Sequence, residues 1–166
     1  GLYGGRPELN PRLVIVNGAQ DARDIDSWTN PNASTWSTVD TLLSGAGVTR
    51  NQVQVVWVKQ AKARTSSVPT PFLNHTPDLQ ARFENLTRTI HQNLPYAKIV
   101  YFSSRTRAFV TDHGSLNPEF YAYESGFAVK WMIEKQISGD SSLKYQEPGA
   151  VAPWIAWGPY LWADGV

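Results

Sequence analysis

Short apolar runs alternate with longer segments of helical periodicity along this chain, and that alternation restricts its fold more than any other feature. Pro11 to Gly18 (PRLVIVNG), Val53 to Val58 (VQVVWV) and Lys98 to Ser104 (KIVYFSS) are brief, apolar and bounded by turn formers. Runs of that kind are the pattern of strands buried on both faces of a parallel sheet. Between the first two, Ser34 to Ala46 places Trp36, Val39, Leu42 and Leu43 at helical spacing, and Gly45 and Gly47 close the segment. Asp78 to Leu94 sets Leu79, Phe83, Leu86 and Ile90 on one face, with Thr76 expected as N-cap and Pro77 at the first helical position. Glu124 to Ile137 is the third helical segment, carrying Phe127, Val129, Trp131, Met132 and Ile133. The tail VAPWIAWG reads as a fourth strand ending at Gly158.

Strands alternating with helices imply βαβ units, whose right-handed crossovers lay the strands in one sheet. The expected architecture is therefore a three-layer α/β/α sandwich of flavodoxin-like type, mostly parallel, filled by residues 1–166 as a single domain. A chain of 166 residues can bury a substantial core. Its net charge of +1 argues against nucleic-acid binding, which needs clustered Lys and Arg. No segment has the ~20 apolar residues of a membrane span. With no cysteine, disulfides, thiolate metal sites and cysteine nucleophiles are excluded together. The first residues lack the apolar core of a secretory leader. Compartment stays open, and a secreted or periplasmic location is compatible with the composition. Asn32, Asn74 and Asn85 head N-x-[ST] sequons, which matter only in a secreted eukaryotic chain.

In open parallel sheets, ligands bind beyond the carboxyl ends of the strands. Four loops follow apolar runs there: Asn17 to Asp26, Lys59 to Arg64, Ser103 to Arg107 and Gly158 to Asp164. Gly18 could let a backbone amide approach a ligand, or simply turn the chain. Gln60 could donate to a developing oxyanion and Lys62 could bind substrate, or both could be solvated loop residues. Arg105 could hold a carboxylate or phosphate bidentately, or pair with a nearby acidic side chain. Ser103 or Ser104 as nucleophile needs a histidine base. Of the three histidines, His91 falls inside a helix and reads as structural, while His113 follows Asp112 and could serve Ser104. Adjacent Asp and His seldom place the carboxylate on that same imidazole, which weakens the Ser104–His113–Asp112 grouping. Trp157 and Tyr160, in a tail crowded with aromatics, could stack on sugar rings or acyl chains, or could pack the core. No metal-ligand spacing or phosphate loop is visible, so neither metal nor cofactor is expected.

Several strings carry a resemblance: NGAQ (17–20), VQVVWVKQA (53–61), KIVYFSSRT (98–106), NPEFYAYESGFAVKWMIE (117–134) and APWIAWGPYLWADG (152–165). From about Pro11 onward the chain resembles a bacterial, mostly uncharacterised branch of the SGNH/GDSL-type hydrolases. That resemblance implies an esterase built from four blocks: a Ser nucleophile, a Gly, an Asn, and a D-x-x-H segment carrying the base. Gly18 matches the Gly block by position. Gln60 or Lys62 stands where Asn is expected. The nucleophile and D-x-x-H blocks have no counterpart here.

Three readings follow. The chain is an SGNH-like ester hydrolase, inactive or incomplete as it stands, acting on a small-molecule or carbohydrate ester once a complementing chain, a homo-oligomer or further residues complete it. Alternatively it is a non-catalytic carbohydrate-binding or structural module keeping the cleft. Thirdly, it is a self-contained hydrolase using Ser104 and His113.

Overall fold

The alternation of apolar runs and helices yields a parallel sheet with its helices packed on one side. The computed structural model describes residues 10–63, 72–109 and 118–164. In chain order the elements are α1 (Ser34–Gly45), β1 (Val55–Lys59), α2 (Phe72–Asn93), β2 (Ile99–Ser103), β3 (Arg107–Phe109), α3 (Pro118–Ile137), β4 (Trp154–Trp157) and β5 (Trp162–Asp164). The fold is mixed α/β. Strands β1, β2 and β4 form a sheet in the order β1-β2-β4, and both pairings are parallel.

Beyond the carboxyl ends of β2 and β4, β3 pairs with β5, again in parallel. The offset between partners is 55 residues on both sides (154 − 99 and 162 − 107), so β3 and β5 continue the same ladder after a break. The break spans 104–106 on one strand and 158–161 on the other.

Alternation along each strand divides the sheet into two faces. Val100, Phe102 and Ile155 are buried against Leu79, Phe83 and Ile90 of α2 and Ala128, Val129 and Met132 of α3. The Phe83 and Phe102 rings meet edge to face, 5.4 Å between centroids. Gln136 of α3 fixes β4 from the same side. Its Nε2 donates to the carbonyls of Leu143 (2.9 Å) and Pro153 (3.0 Å), while its Oε1 accepts from Ile155 N (2.8 Å). Helix α1 joins the same core through Trp36, whose Nε1 donates to the Trp28 carbonyl and whose ring packs across Trp28. The opposite face presents Val55 and Trp57, each 56% exposed, and Tyr101, 37% exposed. Among the described residues, no helix covers it. The described packing is thus two layers deep.

Two boundaries differ from expectation. Pro11 to Gly18 forms no strand, and Leu13, Val14 and Ile15 stay about half exposed. A strand exists only with a partner for its backbone groups, and among the described residues β1, an edge of the sheet, pairs with β2 alone. Helix α2 begins at Phe72, so Pro77 stands inside it rather than at its start. Proline there costs one donor, and the extra turn buries His75 and Thr76. Helix α3 likewise starts six residues before Glu124.

Candidate functional site

Each crossover helix runs antiparallel to its strands, so the starts of α2 and α3 lie at the rim formed by the carboxyl ends of β1, β2 and β4. The 104–106 break in the ladder opens at that rim. Ser103, the last residue of β2, is fully buried, and its Oγ accepts from Trp57 Nε1 at 2.9 Å. Gly158 sits across from it. A Cβ there would collide with Ser103 Oγ and approach both Phe102 C and Trp57 Nε1 to 3.2 Å, so a side chain at this position forces its neighbours to shift. Ser104 is also fully buried, beside Gly126 of α3, and its Oγ has no hydrogen-bond partner. Arg105 N donates to Ser125 Oγ at 2.8 Å, which ties the break to α3.

The flanking residues at the end of β1 are engaged differently. Gln60 Nε2 donates to the Arg23 carbonyl at 3.2 Å, and Ile25 N donates to the Ala61 carbonyl at 3.0 Å. These bonds dock the loop before Ile25 onto β1. Lys62 is ion-paired with Asp78 in the second turn of α2, and Arg82 bridges Asp78 and Asp26. Burial works against the charged form of Asp78, but hydrogen bonds and charge from Lys62 and Arg82 outweigh it and hold the carboxyl below the ordinary aspartate range. Desolvation opposes the charge on Arg82, but hydrogen bonds and charge from Asp78 and Asp26 outweigh it and raise its pKa. Lys59 and Arg105 have no acidic partner among the described residues. Desolvation, and then the Arg105 guanidinium, pull the Lys59 ammonium below the ordinary lysine range.

The structure therefore brings Gln60, Lys62, Ser104 and Arg105 to one rim. Trp157 ends β4 there, 40% exposed, and Tyr160 lies in the opposite half of the break, 42% exposed. Gly18 does not end a strand; it lies against Val39 of α1. His113 lies outside the described residues, as does Asp112. A hollow of about 330 Å³ is lined by Asp40, Leu43, Val48, Thr49 and Arg50, away from this rim, before β1 begins.

One pair was not anticipated from sequence. His75 of α2 and Glu124 of α3, 7% and 1% exposed, approach to 2.9 Å between Nδ1 and Oε2. A carboxylate hydrogen-bonded to Nδ1 orients an imidazole as a base, but these two atoms approach without hydrogen-bond geometry. The signal was available: at helical spacing Glu124 falls on the face carrying Tyr121, Ala128 and Met132, and a buried carboxylate calls for a partner. Ser104 Oγ has no hydrogen-bond partner, so this imidazole does not activate it in the observed arrangement. Among the described residues, no group of three or more His, Cys, Asp or Glu side chains is placed to hold a metal ion. No helix among them is long and apolar enough to cross a membrane.

Comparison of the chain with protein-family models, with curated proteins and with solved structures returned no match.

Proposed function

We propose that this chain is an SGNH/GDSL-like hydrolase domain that presents an ester-binding rim and does not turn over esters in this form. The observation that carries the reading is Ser104: a buried serine at the carboxyl rim of a parallel sheet, its hydroxyl touched by no base. Without an activated nucleophile, residual oxyanion stabilisation supplies a small part of an esterase's rate. The finer architecture belongs to the same proposal. Among the described residues, the exposed apolar run Leu13–Ile15, the unpaired outer edge of β1 and the uncovered face at Val55, Trp57 and Tyr101 are what a flavodoxin-like three-layer sandwich lacking one strand and one helical layer would leave. A further segment or a second chain would supply both, together with the nucleophile and base.

The test is p-nitrophenyl acetate turnover and fluorophosphonate labelling, on this chain alone and on a form extended at both termini. Background rate and no adduct for the chain, with turnover restored in the extended form, is the expected result. Turnover by the chain alone that is lost in Ser104→Ala overturns it in favour of a self-contained hydrolase. Inactivity of both forms, with saturable sugar binding lost in Trp157→Ala, overturns it in favour of a binding module.

A further inference from the structure

Asparagine is followed by glycine once in this chain, at Asn17–Gly18. The pair stands where the exposed run Leu13–Ile15 gives way to the loop that docks, through Ile25, just past the end of β1. Asparagine is a chemically labile residue. Its side chain is lost when the next backbone nitrogen reaches its amide carbon, so the state of that nitrogen decides which asparagines are open to the reaction. Elsewhere the nitrogen is blocked or engaged. Asn10, Asn30 and Asn117 precede proline, whose nitrogen carries no hydrogen. After Asn32, Asn51 and Asn93, the amides of Ala33, Gln52 and Leu94 donate to the carbonyls of Asn30 (3.1 Å), Thr49 (3.0 Å) and Ile90 (2.8 Å). After Asn74 and Asn85, the next residues lie inside α2.

Asn17 differs on each count. Among the described residues, Gly18 N donates to no acceptor. Glycine brings no Cβ to hinder the approach and leaves the backbone free to turn toward the side chain. Asn17 itself is exposed. Its Oδ1 accepts from Ala19 N at 3.1 Å, which folds the side chain over the following peptide and draws electron density away from Cγ.

We infer that Asn17–Gly18 is a site of spontaneous deamidation in the folded chain. The Gly18 nitrogen gives its proton to water or hydroxide and bonds to Asn17 Cγ, closing a succinimide ring. The Cγ–Nδ2 bond breaks, and the nitrogen leaves as ammonia after taking a proton back from solvent. Water then opens the ring: at Cγ it yields aspartate, at the main-chain carbonyl isoaspartate. The net change is one water consumed and one ammonia released, with no change of oxidation state. Either product places a carboxylate where a neutral amide stood. Isoaspartate also adds a methylene to the main chain, just ahead of Gly18, which rests on Val39, and of Gln20, whose Nε2 donates to the Thr35 carbonyl at 2.9 Å. The inference is independent of the hydrolase reading.

The experiment is timed incubation of the full chain at mildly alkaline pH, followed by peptide mapping by mass spectrometry and enzymatic methylation of isoaspartate. The expected result is first-order loss of Asn17, with aspartate and isoaspartate both appearing at that position, faster than the loss of any other asparagine. Gly18→Ala places its methyl in ordinary contact with Val39 at 3.8 Å, so the variant should fold. It is expected to slow the reaction at position 17 by at least about tenfold, because a Cβ hinders the attacking nitrogen. A parallel incubation in urea separates the fold from the local sequence: the folded and unfolded chains should lose Asn17 at comparable rates. Loss of Asn17 no faster than that of Asn32, a rate unchanged in Gly18→Ala, or strong protection of Asn17 on folding overturns the inference.

Discussion

The two faces of the sheet have the same strands and the same register but opposite degrees of completion. On one, Val100, Phe102 and Ile155 are sealed under α2 and α3, and Gln136 satisfies three backbone groups where β4 joins. On the other, Val55, Trp57 and Tyr101 are exposed, and among the described residues β1 has no partner on its outer edge. Strand sequence alone does not produce the difference, since the bare face also carries Val55, Trp57, Ile99 and Tyr101 beside Lys59 and Ser103. What differs is whether a helix connects across. In a βαβ unit the crossover helix covers one face only, so the second face depends on elements from outside the unit.

That contrast can be broken by mutation. Phe102→Ala empties a fully buried ring position under α2 and is expected to lower stability by about 3–5 kcal/mol in urea denaturation. Val55→Thr, on the bare face of the neighbouring strand, is expected to change it by no more than about 0.5 kcal/mol. Equal losses would mean that the bare face is covered in solution. Gln136→Met keeps the volume but orphans Ile155 N and two carbonyls, for an expected loss of about 2–3 kcal/mol by the same assay. Gly158→Ala should cost about 1–3 kcal/mol, because its methyl meets Ser103 and the β2 backbone at the ladder break. An unchanged midpoint there would show the break to be looser than described.

The exposed ion pairs contribute little. Asp78→Asn is expected to lower stability at neutral pH by about 0.2–1 kcal/mol. Because Asp78 has a depressed pKa when folded, its contribution is present above the ordinary aspartate range and is lost as pH falls through the folded value. The gap between wild type and variant, measured by denaturation at several pH values, should therefore close toward acid. A gap that stays constant or widens would assign the Asp78 contribution to something other than its charge.

The sheet and three helices were legible in sequence because VQVVWV, KIVYFSS and the Leu79–Ile90 stripe satisfy local periodicity and tertiary packing at once. Pro11 to Gly18 has the same apolar composition and yet forms no strand, since composition says nothing of whether a partner edge is present. Of the site, Ser104, Arg105, Gln60 and Lys62 could be placed at one rim from topology alone. Their engagement could not: that Gln60 is spent on the Arg23 carbonyl and Lys62 on Asp78 depends on where the loop before Ile25 docks. Gly18 was misplaced because the strand assumed to precede it is absent. His75 was passed over because the sequence signal for α2 begins at Pro77, which concealed the turn that buries it.

Residue-resolved amide hydrogen exchange measures the unfinished side most directly. The outward-pointing amides of β1 should exchange orders of magnitude faster than those of β2, which is paired on both sides and roofed by α2 and α3. Uniform protection of β1 at the level of β2 would contradict this, and would mean that the free edge and bare face are already occupied in the folded chain.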